Sequence, residues 1–143
     1  MEAPDPDIEA RALDRARAVR ENARAPYSDF RVGAAVVLRD GTTFVGCNVE
    51  SASYGLTLCA ERSALAAAVA AVGRPDVALV AIATGAEAPT PPCGACRQWI
   101  AEFAGGATVV SASRGGEVAR WSAAELLPDA FLGGSLRAPG DRR

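Results

Sequence analysis

Three of the four cysteines stand in two short motifs that are suited to holding a metal ion. One motif is Cys59-Ala60-Glu61, and the other is Pro92-Cys93-Gly94-Ala95-Cys96. A C-x-x-C pair lets two thiolates bind one ion from a single turn, and a third ligand elsewhere completes the set. Three protein ligands leave one coordination position open, which is typical of a catalytic zinc rather than a structural one. The sequence therefore predicts one catalytic Zn²⁺ held by Cys59, Cys93 and Cys96.

Glu61 is the group best placed to move protons at such a site. It lies two residues from Cys59, near the ion but poorly placed to be a ligand itself. A carboxylate beside an open zinc position can take a proton from water and deliver it elsewhere. Arg62 is placed to hydrogen-bond the ligand sulfurs and to offset part of the negative charge of three thiolates. We therefore expect hydrolytic attack on an electron-poor carbon, with Glu61 as the catalytic proton carrier.

The chain contains no histidine, which removes several kinds of site at once. A Ser-His-Asp triad, a Cys-His dyad, a histidine-ligated zinc and a histidine general base are all excluded. Two other interpretations of the cysteines stay open: a thiol–disulfide pair formed by Cys93 and Cys96, and a zinc module in which the metal only holds the fold together. We interpret Cys47 as a small buried strand residue rather than a ligand.

Length and composition narrow the class of protein further. A chain of 143 residues favours one domain, spanning 1–143, and 50% hydrophobic with 22% charged residues favours a buried core. The formal net charge of −2 lacks the basic footprint of a nucleic-acid or membrane-surface protein. No secretory signal is apparent near the N-terminus, and the apolar runs are shorter than the ~20 residues that a membrane span needs. We therefore expect a soluble, cytoplasmic protein with reduced thiols.

Helices and strands must alternate along the chain to position these motifs. Ile8–Ala23 has apolar residues at helical spacing, and Asp40-Gly41 predicts a hairpin turn between strands at Phe30–Leu38 and Thr43–Val49. The remaining elements are predicted as helices over Cys59–Val72 and Gly94–Ala104, strands over Val77–Ala83, Ala107–Ser111 and Glu117–Trp121, and a short helix opened by a capping box at Ser122-Ala123-Ala124-Glu125. This order predicts an α/β fold with three α/β/α layers, a mixed sheet of about five strands and a loose tail over about 133–143.

The motifs together resemble those of the small, three-cysteine type of cytidine deaminase, whose zinc signature is a histidine or cysteine ligand with a nearby glutamate, followed by P-C-x-x-C. The resemblance covers nearly the whole chain except its ends. It rests on Pro26-Tyr27-Ser28, Phe30-Arg31-Val32-Gly33-Ala34-Ala35, Gly46-Cys47-Asn48-Val49-Glu50, Ala52-Ser53-Tyr54, Cys59-Ala60-Glu61-Arg62, Pro92-Cys93-Gly94-Ala95-Cys96-Arg97-Gln98 and Leu126-Leu127-Pro128-Asp129-Ala130-Phe131.

The resemblance implies hydrolytic deamination of cytidine and 2'-deoxycytidine to uridine and 2'-deoxyuridine, with release of ammonia, in pyrimidine salvage. It also implies a homotetramer with shared active sites, one zinc ion per subunit, and a cytidine-deaminase-like fold. The resemblance further implies that substrate is bound by Phe30, Asn48, Glu50, Tyr54, Ala60 and Phe131. Asn48 and Glu50 would hold ribose hydroxyls, while Tyr54 and Phe131 would act across a subunit interface.

Within this chemistry, the substrate could also be a nucleotide, a nucleoside antibiotic or a base in a polynucleotide. Glu50 argues against a phosphate, because a carboxylate near the sugar would repel it. The balanced net charge argues against a polynucleotide, which would need a basic groove. A free nucleoside is therefore the expected substrate.

Overall fold

Residues 3–136 are described by the computed structural model, in which five strands form one mixed sheet in the order β2-β1-β3-β4-β5. The strands are β1 (Val32–Leu38), β2 (Thr43–Cys47), β3 (Val77–Thr84), β4 (Thr108–Ala112) and β5 (Val118–Ser122). The helices are α1 (Pro6–Arg20), α2 (Ala60–Val72), α3 (Gly94–Phe103) and α4 (Ala123–Leu126), with 3-10 turns at Tyr54–Leu56 and Gly133–Leu136. No helix of this part of the chain is long and apolar enough to cross a membrane.

Strand pairing brings three chain segments to one edge of the sheet. β1 pairs antiparallel with both β2 and β3, so that Val32, where β1 begins, lies opposite Thr84, where β3 ends. Gly33 pairs with Cys47, the last residue of β2. The β3–β4 pair is parallel and the β4–β5 pair antiparallel, which makes the sheet mixed as predicted. The loops that leave this edge carry most of the candidate site residues.

Helices cover both faces of the sheet, which confirms the three-layer α/β/α architecture. The buried residues of α1 pack with Ala35, Ala81 and Val110 on one face. The buried residues of α2 and α3 pack with Val36, Val80 and Val109 on the other face. Alternate strand residues therefore enter two separate apolar layers, as expected for strands buried on both sides.

Two glycines allow the helices to approach the hairpin closely. A Cβ at Gly33 would lie 1.9 Å from the carbonyl oxygen of Ala16 in α1, and one at Gly46 would lie 2.4 Å from the amide nitrogen of Ala64 in α2. Any side chain at either position would overlap the helix backbone. The contact at Gly46 fixes the first turns of α2 against β2, and this determines where α2 begins relative to the sheet.

Most predicted elements agree with the observed ones to within a few residues. The capping box is confirmed: Ser122 Oγ accepts a hydrogen bond from the Glu125 N–H at 3.2 Å, and Glu125 accepts one from the Ser122 N–H at 2.6 Å. The first helix begins earlier than predicted, because the Asp5 carboxylate accepts hydrogen bonds from the N–H groups of Asp7 and Ile8. It ends at Arg20 rather than continuing to Ala23.

Two differences concern the hairpin and the C-terminal region. β1 begins at Val32 rather than Phe30. The Phe30 carbonyl oxygen and the Val32 N–H bond to the Asn48 side chain instead of to a neighbouring strand. The first four residues of the predicted loose tail, Gly133–Leu136, form a 3-10 turn. The rest of that predicted tail, 137–143, lies outside the described residues.

Candidate active site

The first turns of α2 and α3 bring the three predicted metal ligands together. Cys59 and Cys93 occupy the N-cap positions of α2 and α3, and Cys96 lies in the first turn of α3. The three sulfurs lie within 4.8 Å of one another, and the Sγ atoms of Cys59 and Cys93 are 3.7 Å apart. Tetrahedral bonds of ~2.3 Å from zinc to thiolate place two sulfurs about 3.8 Å apart. The geometry of the three thiols therefore fits a zinc ion.

Hydrogen bonds within this group favour a negative charge on Cys59. A hydrogen bond with the Cys96 thiol, followed by a smaller contribution from Arg62, lowers the pKa of Cys59. The same contact with Cys59, together with burial, raises the pKa of Cys96. Arg62 Nη2 donates to Cys59 Sγ at 3.3 Å and to the Thr57 carbonyl oxygen at 3.3 Å. Arg62 therefore contacts a ligand sulfur directly, where its charge opposes that of the thiolates.

Glu61 lies beside the thiols at the bottom of the site. Its side chain is buried, with the residue only 5% exposed, and its Oε2 accepts a hydrogen bond from Cys96 Sγ at 3.0 Å. Burial raises the pKa of the Glu61 carboxyl. A carboxyl group at hydrogen-bond distance from one thiol, and within the same cleft as the other two, can exchange protons with a molecule bound next to the ion.

A cleft of about 260 Å³ connects the thiols to the sheet edge. Its lining residues are Ser28, Phe30, Val32, Asn48, Glu50, Thr57, Cys59, Ala60, Glu61, Ile82, Thr84, Thr90, Pro91 and Cys93. We call Cys59, Glu61 and Cys93, together with the buried Cys96 that contacts Glu61 without lining the cleft, the thiol end. Ser28, Phe30, Asn48 and Glu50 form the loop end. A larger cavity of about 580 Å³ between α1 and β5 contains none of the candidate residues.

Asn48 holds the start of β1 at the loop end. Its Oδ1 accepts a hydrogen bond from the Val32 N–H at 2.8 Å, and its Nδ2 donates to the Phe30 carbonyl oxygen at 2.8 Å. The residue is only 7% exposed, so both bonds are shielded from water. Asn48 therefore fixes the backbone on either side of Arg31, and with it the position of Phe30. An amide that makes these two bonds keeps one N–H and one lone pair for a ligand.

Glu50 is held by the loop that precedes β1. Its Oε1 accepts hydrogen bonds from the N–H groups of Tyr27 and Ser28, both at 3.0 Å, and its Oε2 accepts one from Ser28 Oγ. Ser28 Oγ in turn accepts from the Phe30 N–H at 3.0 Å. The bond from the Ser28 hydroxyl is the main cause that lowers the pKa of Glu50. An ionised carboxylate with one lone pair unused is an acceptor for a single hydroxyl group.

Two of the predicted substrate-binding residues do not line the cleft of their own chain. Tyr54 is 74% exposed and packs edge-on against Tyr27, with ring centroids 5.7 Å apart. Phe131 is 60% exposed, and its carbonyl oxygen accepts a hydrogen bond from Gln98. Cys47 lies outside the thiol group, as predicted, but at the end of β2 it is half-buried rather than buried.

Sequence reasoning gave no role to three residues that organise the cleft. Ser28 belongs to the Pro26-Tyr27-Ser28 motif, but its bond to Glu50 lies in a turn in which the next residue, Asp29, has a positive φ of 56°. Thr84 and Thr90 face each other across the loop after β3, with their hydroxyl oxygens 3.3 Å apart. No periodicity or spacing in the sequence signals such contacts between loops.

The family-model comparison matches residues 7–112 to the cytidine and deoxycytidylate deaminase zinc-binding region. The matched segment is well over half of the chain and contains all three thiols and Glu61. The chain belongs to the cytidine and deoxycytidylate deaminase family. This membership confirms the resemblance predicted from the motifs, and the zinc-binding description agrees with the donor set that the structure brings together.

Individual relatives extend the similarity along most of the chain. The cytidine deaminase of Halalkalibacterium halodurans is 48% identical over 78% of this chain and 85% of the relative. A cytidine deaminase of Mycobacterium tuberculosis is 38% identical over 96% of this chain and 99% of the relative. The crystal structure of cytidine deaminase from Burkholderia pseudomallei superposes with a TM-score of 0.81 at 50% identity, covering 85% of this chain and 98% of that one. The predicted cytidine-deaminase-like fold is thereby confirmed.

Proposed function

We propose that this protein hydrolyses the exocyclic amine of cytidine and 2'-deoxycytidine, giving uridine and 2'-deoxyuridine with release of ammonia, as a step of pyrimidine salvage. The observation that carries the proposal is the buried Glu61 carboxyl group, 3.0 Å from one of three clustered thiols, at the thiol end of the cleft. The names of the similar proteins, cytidine deaminases from several bacteria, support the same reaction.

Glu61 is the residue that moves protons in this reaction. When bound by Cys59, Cys93 and Cys96, zinc supplies a Lewis acid that makes water a nucleophile at neutral pH. The Glu61 carboxylate takes one proton from the attacking water and delivers it to N3 of the ring, which makes C4 more electrophilic. As the C4–N bond breaks, Glu61 passes the second water proton to the departing amine. The new C4–O bond and the proton kept on N3 leave uridine, and ammonia departs.

The loop end of the cleft binds the sugar. The ionised Glu50 and the remaining N–H of Asn48 offer one acceptor and one donor to the ribose hydroxyls, while Phe30 provides an apolar wall. The backbone of Ala60 contacts the pyrimidine beside Glu61. No lysine or arginine occurs among the residues that line the described cleft, and Glu50 would repel a phosphate. These features favour a free nucleoside over a nucleotide.

The complete site requires neighbouring subunits. Tyr54 and Phe131 are exposed and lie outside the cleft of their own chain, which supports their predicted action on the cleft of an adjacent copy. We therefore propose a homotetramer with shared active sites and one zinc ion per subunit. Native mass spectrometry of the zinc-loaded protein gives the subunit and zinc count directly, and a monomer that turns over cytidine at full rate would contradict the shared site. We place the enzyme in the cytoplasm, where ligand thiols stay reduced.

A comparison of substrates tests the proposed specificity. Zinc-loaded protein is assayed for ammonia release from cytidine, 2'-deoxycytidine, cytidine 5'-monophosphate and adenosine at equal concentrations. We expect turnover of both cytosine nucleosides and at least 10-fold lower kcat/KM for the monophosphate, since one unfavourable charge contact costs about 1.4 kcal/mol or more. Faster turnover of the monophosphate would overturn the nucleoside assignment while leaving the reaction class intact.

A further inference from the structure

Two side chains that directly follow Cys96 reach from α3 to the C-terminal segment. The half-buried Arg97 guanidinium donates from Nε to the Pro92 carbonyl oxygen at 2.8 Å and from Nη1 to the Leu126 carbonyl oxygen at 3.0 Å. Gln98 Nε2 donates to the Phe131 carbonyl oxygen at 2.6 Å. Pro92 immediately precedes Cys93, so one guanidinium joins the carbonyl before a thiol ligand to the carbonyl at the end of α4.

The segment between these two attachments has little structure of its own. Residues 127–132 belong to no helix or strand, and Asp129 within it has a positive φ of 51°. Leu126 is the last residue of α4, and carbonyls in the last turn of a helix lack partners within that helix. The position of Phe131 therefore depends on where Arg97 holds Leu126 and where Gln98 holds the Phe131 backbone.

We propose that Arg97 is a positioning residue: it couples Pro92, which directly precedes the thiol ligand Cys93, to the C-terminal segment 126–132, and thereby sets the position of Phe131. The proposal rests on the proposed function in one respect, the action of Phe131 on a neighbouring cleft. The hydrogen bonds of the Arg97 guanidinium go to the carbonyl oxygens of Pro92 and Leu126, neither of which lines the cleft, so the effect of this side chain on catalysis passes through the groups that it holds.

Arginine is suited to this task because its planar guanidinium presents several N–H donors in a fixed arrangement. The two carbonyls lie on separate segments, and a single rigid group fixes both at once. A lysine in this place offers one compact ammonium on a flexible chain, which can satisfy one carbonyl but loses the fixed relation between the two. The structure thus predicts that Arg97→Lys is intermediate between the native residue and a variant without donors.

Hydrogen exchange tests the positioning role without relying on activity. The zinc-loaded Arg97→Lys and Arg97→Met proteins are compared with the native protein by exchange mass spectrometry. The matched control is Arg114→Met, because Arg114 forms an exposed ion pair with Glu87. We expect Arg97→Met to speed exchange about 10-fold in 126–131, since loss of a bond worth about 1.4 kcal/mol raises an opening equilibrium by that factor. Arg97→Lys should give a smaller increase, and Arg114→Met none.

Unchanged exchange in 126–131 of Arg97→Met would overturn the proposal. So would faster exchange spread evenly over all helices and strands, because that pattern indicates a general loss of stability rather than local positioning. If Arg97→Met proves too unstable to load with zinc, the exchange of Arg97→Lys is measured instead. Unchanged exchange in 126–131, or faster exchange spread over the whole protein, would overturn the proposal in the same way.

A double-mutant cycle on cytidine turnover tests the coupling to Phe131. Arg97→Met and Phe131→Ala should each raise KM more than they lower kcat. The KM of the double variant should match that of Phe131→Ala within about twofold, because the effects of two coupled residues do not add. Effects that multiply would mean that Arg97 does not act through Phe131. If Phe131→Ala leaves KM unchanged, the shared-site role of Phe131 is wrong, whereas the exchange result still decides the role of Arg97; the two failures are therefore distinguishable.

Discussion

The thiol end and the loop end of the cleft are built in different ways. The thiol end lies on the first turns of α2 and α3, whose backbones are fixed by regular hydrogen bonds, and α2 is held further by its close contact with Gly46. The loop end lies on irregular segments held by side chains, with Asn48 and Glu50 supplying the acceptors and donors that a strand would otherwise provide.

The two ways of building suit two different tasks, the reaction itself and the binding of substrate. Atoms that take part in bond making must keep a fixed geometry, which a helix start provides through its backbone. The groups that we propose to recognise the sugar need only present one acceptor and one donor, which a network of loop side chains can do. We therefore expect substitutions at the thiol end to act mainly on kcat and those at the loop end mainly on KM.

Removal of one thiol ligand should have the largest effect, because it lowers both zinc content and turnover. Cys96→Ala leaves two thiols for the ion, so we expect less than one zinc per chain and a loss of turnover greater than about 10³-fold. Cys47→Ala is the matched control, because Cys47 is a thiol outside the cluster. Zinc content by elemental analysis and ammonia release measure both effects. Full zinc content in Cys96→Ala, or zinc loss in Cys47→Ala, would show that the ligand set is wrong.

Arg62→Ala should reduce turnover by a smaller amount. Without the Nη2 contact to Cys59 Sγ, more negative charge remains on the sulfurs, which disfavours ionisation of water at the site. We expect a 10- to 100-fold lower kcat, the approximate range for partners of metal ligands. Steady-state kinetics of zinc-loaded protein measure it, with Arg74→Ala as an exposed arginine control. Full activity of Arg62→Ala would refute the charge-balance interpretation.

Glu50→Gln tests the loop end. The neutral amide loses the charge-assisted bond to a ribose hydroxyl, so we expect about a 10- to 100-fold rise in KM. The value of kcat should stay within a few fold of native. The exposed Glu87→Gln serves as the control in the same kinetic assay. A large fall in kcat with unchanged KM would contradict the division of tasks between the two ends.

Ser28→Ala should give the smallest effect and the clearest dependence on pH. The Ser28 hydroxyl is the main cause of the lowered pKa of Glu50, so in the native protein Glu50 stays ionised below the ordinary range of a glutamate. Its contribution to binding is present above that range and is lost only as the pH falls through the lowered pKa. In Ser28→Ala the loss should begin at a higher pH.

The measurement for Ser28→Ala is KM for cytidine as a function of pH from neutral into the acid range. We expect KM to rise a few fold at neutral pH, because Glu50 is positioned less firmly. The further rise in KM on acidification should begin at a higher pH than in the native protein. Ser135→Ala, which alters an exposed hydroxyl outside the cleft, should reproduce the native profile. Identical profiles for Ser28→Ala and native protein would show that Glu50 does not depend on Ser28.

The thiol end was predictable from sequence because its chemistry is encoded in short spacings. Cys93 and Cys96 share one turn by their separation alone, and Cys59 precedes an alanine-rich helix whose start could be placed to one residue. The absence of histidine strengthened the prediction by removing competing sites. The order of elements and the capping box at Ser122 were predictable for the same reason, since their signals are local.

The loop end could be assigned only by resemblance to a family. Asn48 and Glu50 at the end of a strand could equally be ordinary turn or surface residues. Their proposed role rests on bonds to Phe30 and Ser28, about 20 positions away in the chain and on either side of the positive-φ residue Asp29. The attachment of Arg97 to Leu126 is likewise a contact between distant segments that no local pattern indicates.

Turnover of cytidine by native protein and by Glu61→Gln is the most direct test of the central claim, that Glu61 carries the protons at a zinc site built by the thiol end. Both proteins are loaded with zinc, their metal content is determined, and ammonia release is measured. We predict one zinc per chain in both, release of ammonia by the native protein, and a rate at least about 10³-fold lower for Glu61→Gln. A zinc-loaded Glu61→Gln protein that deaminates cytidine at near-native rate would contradict the claim.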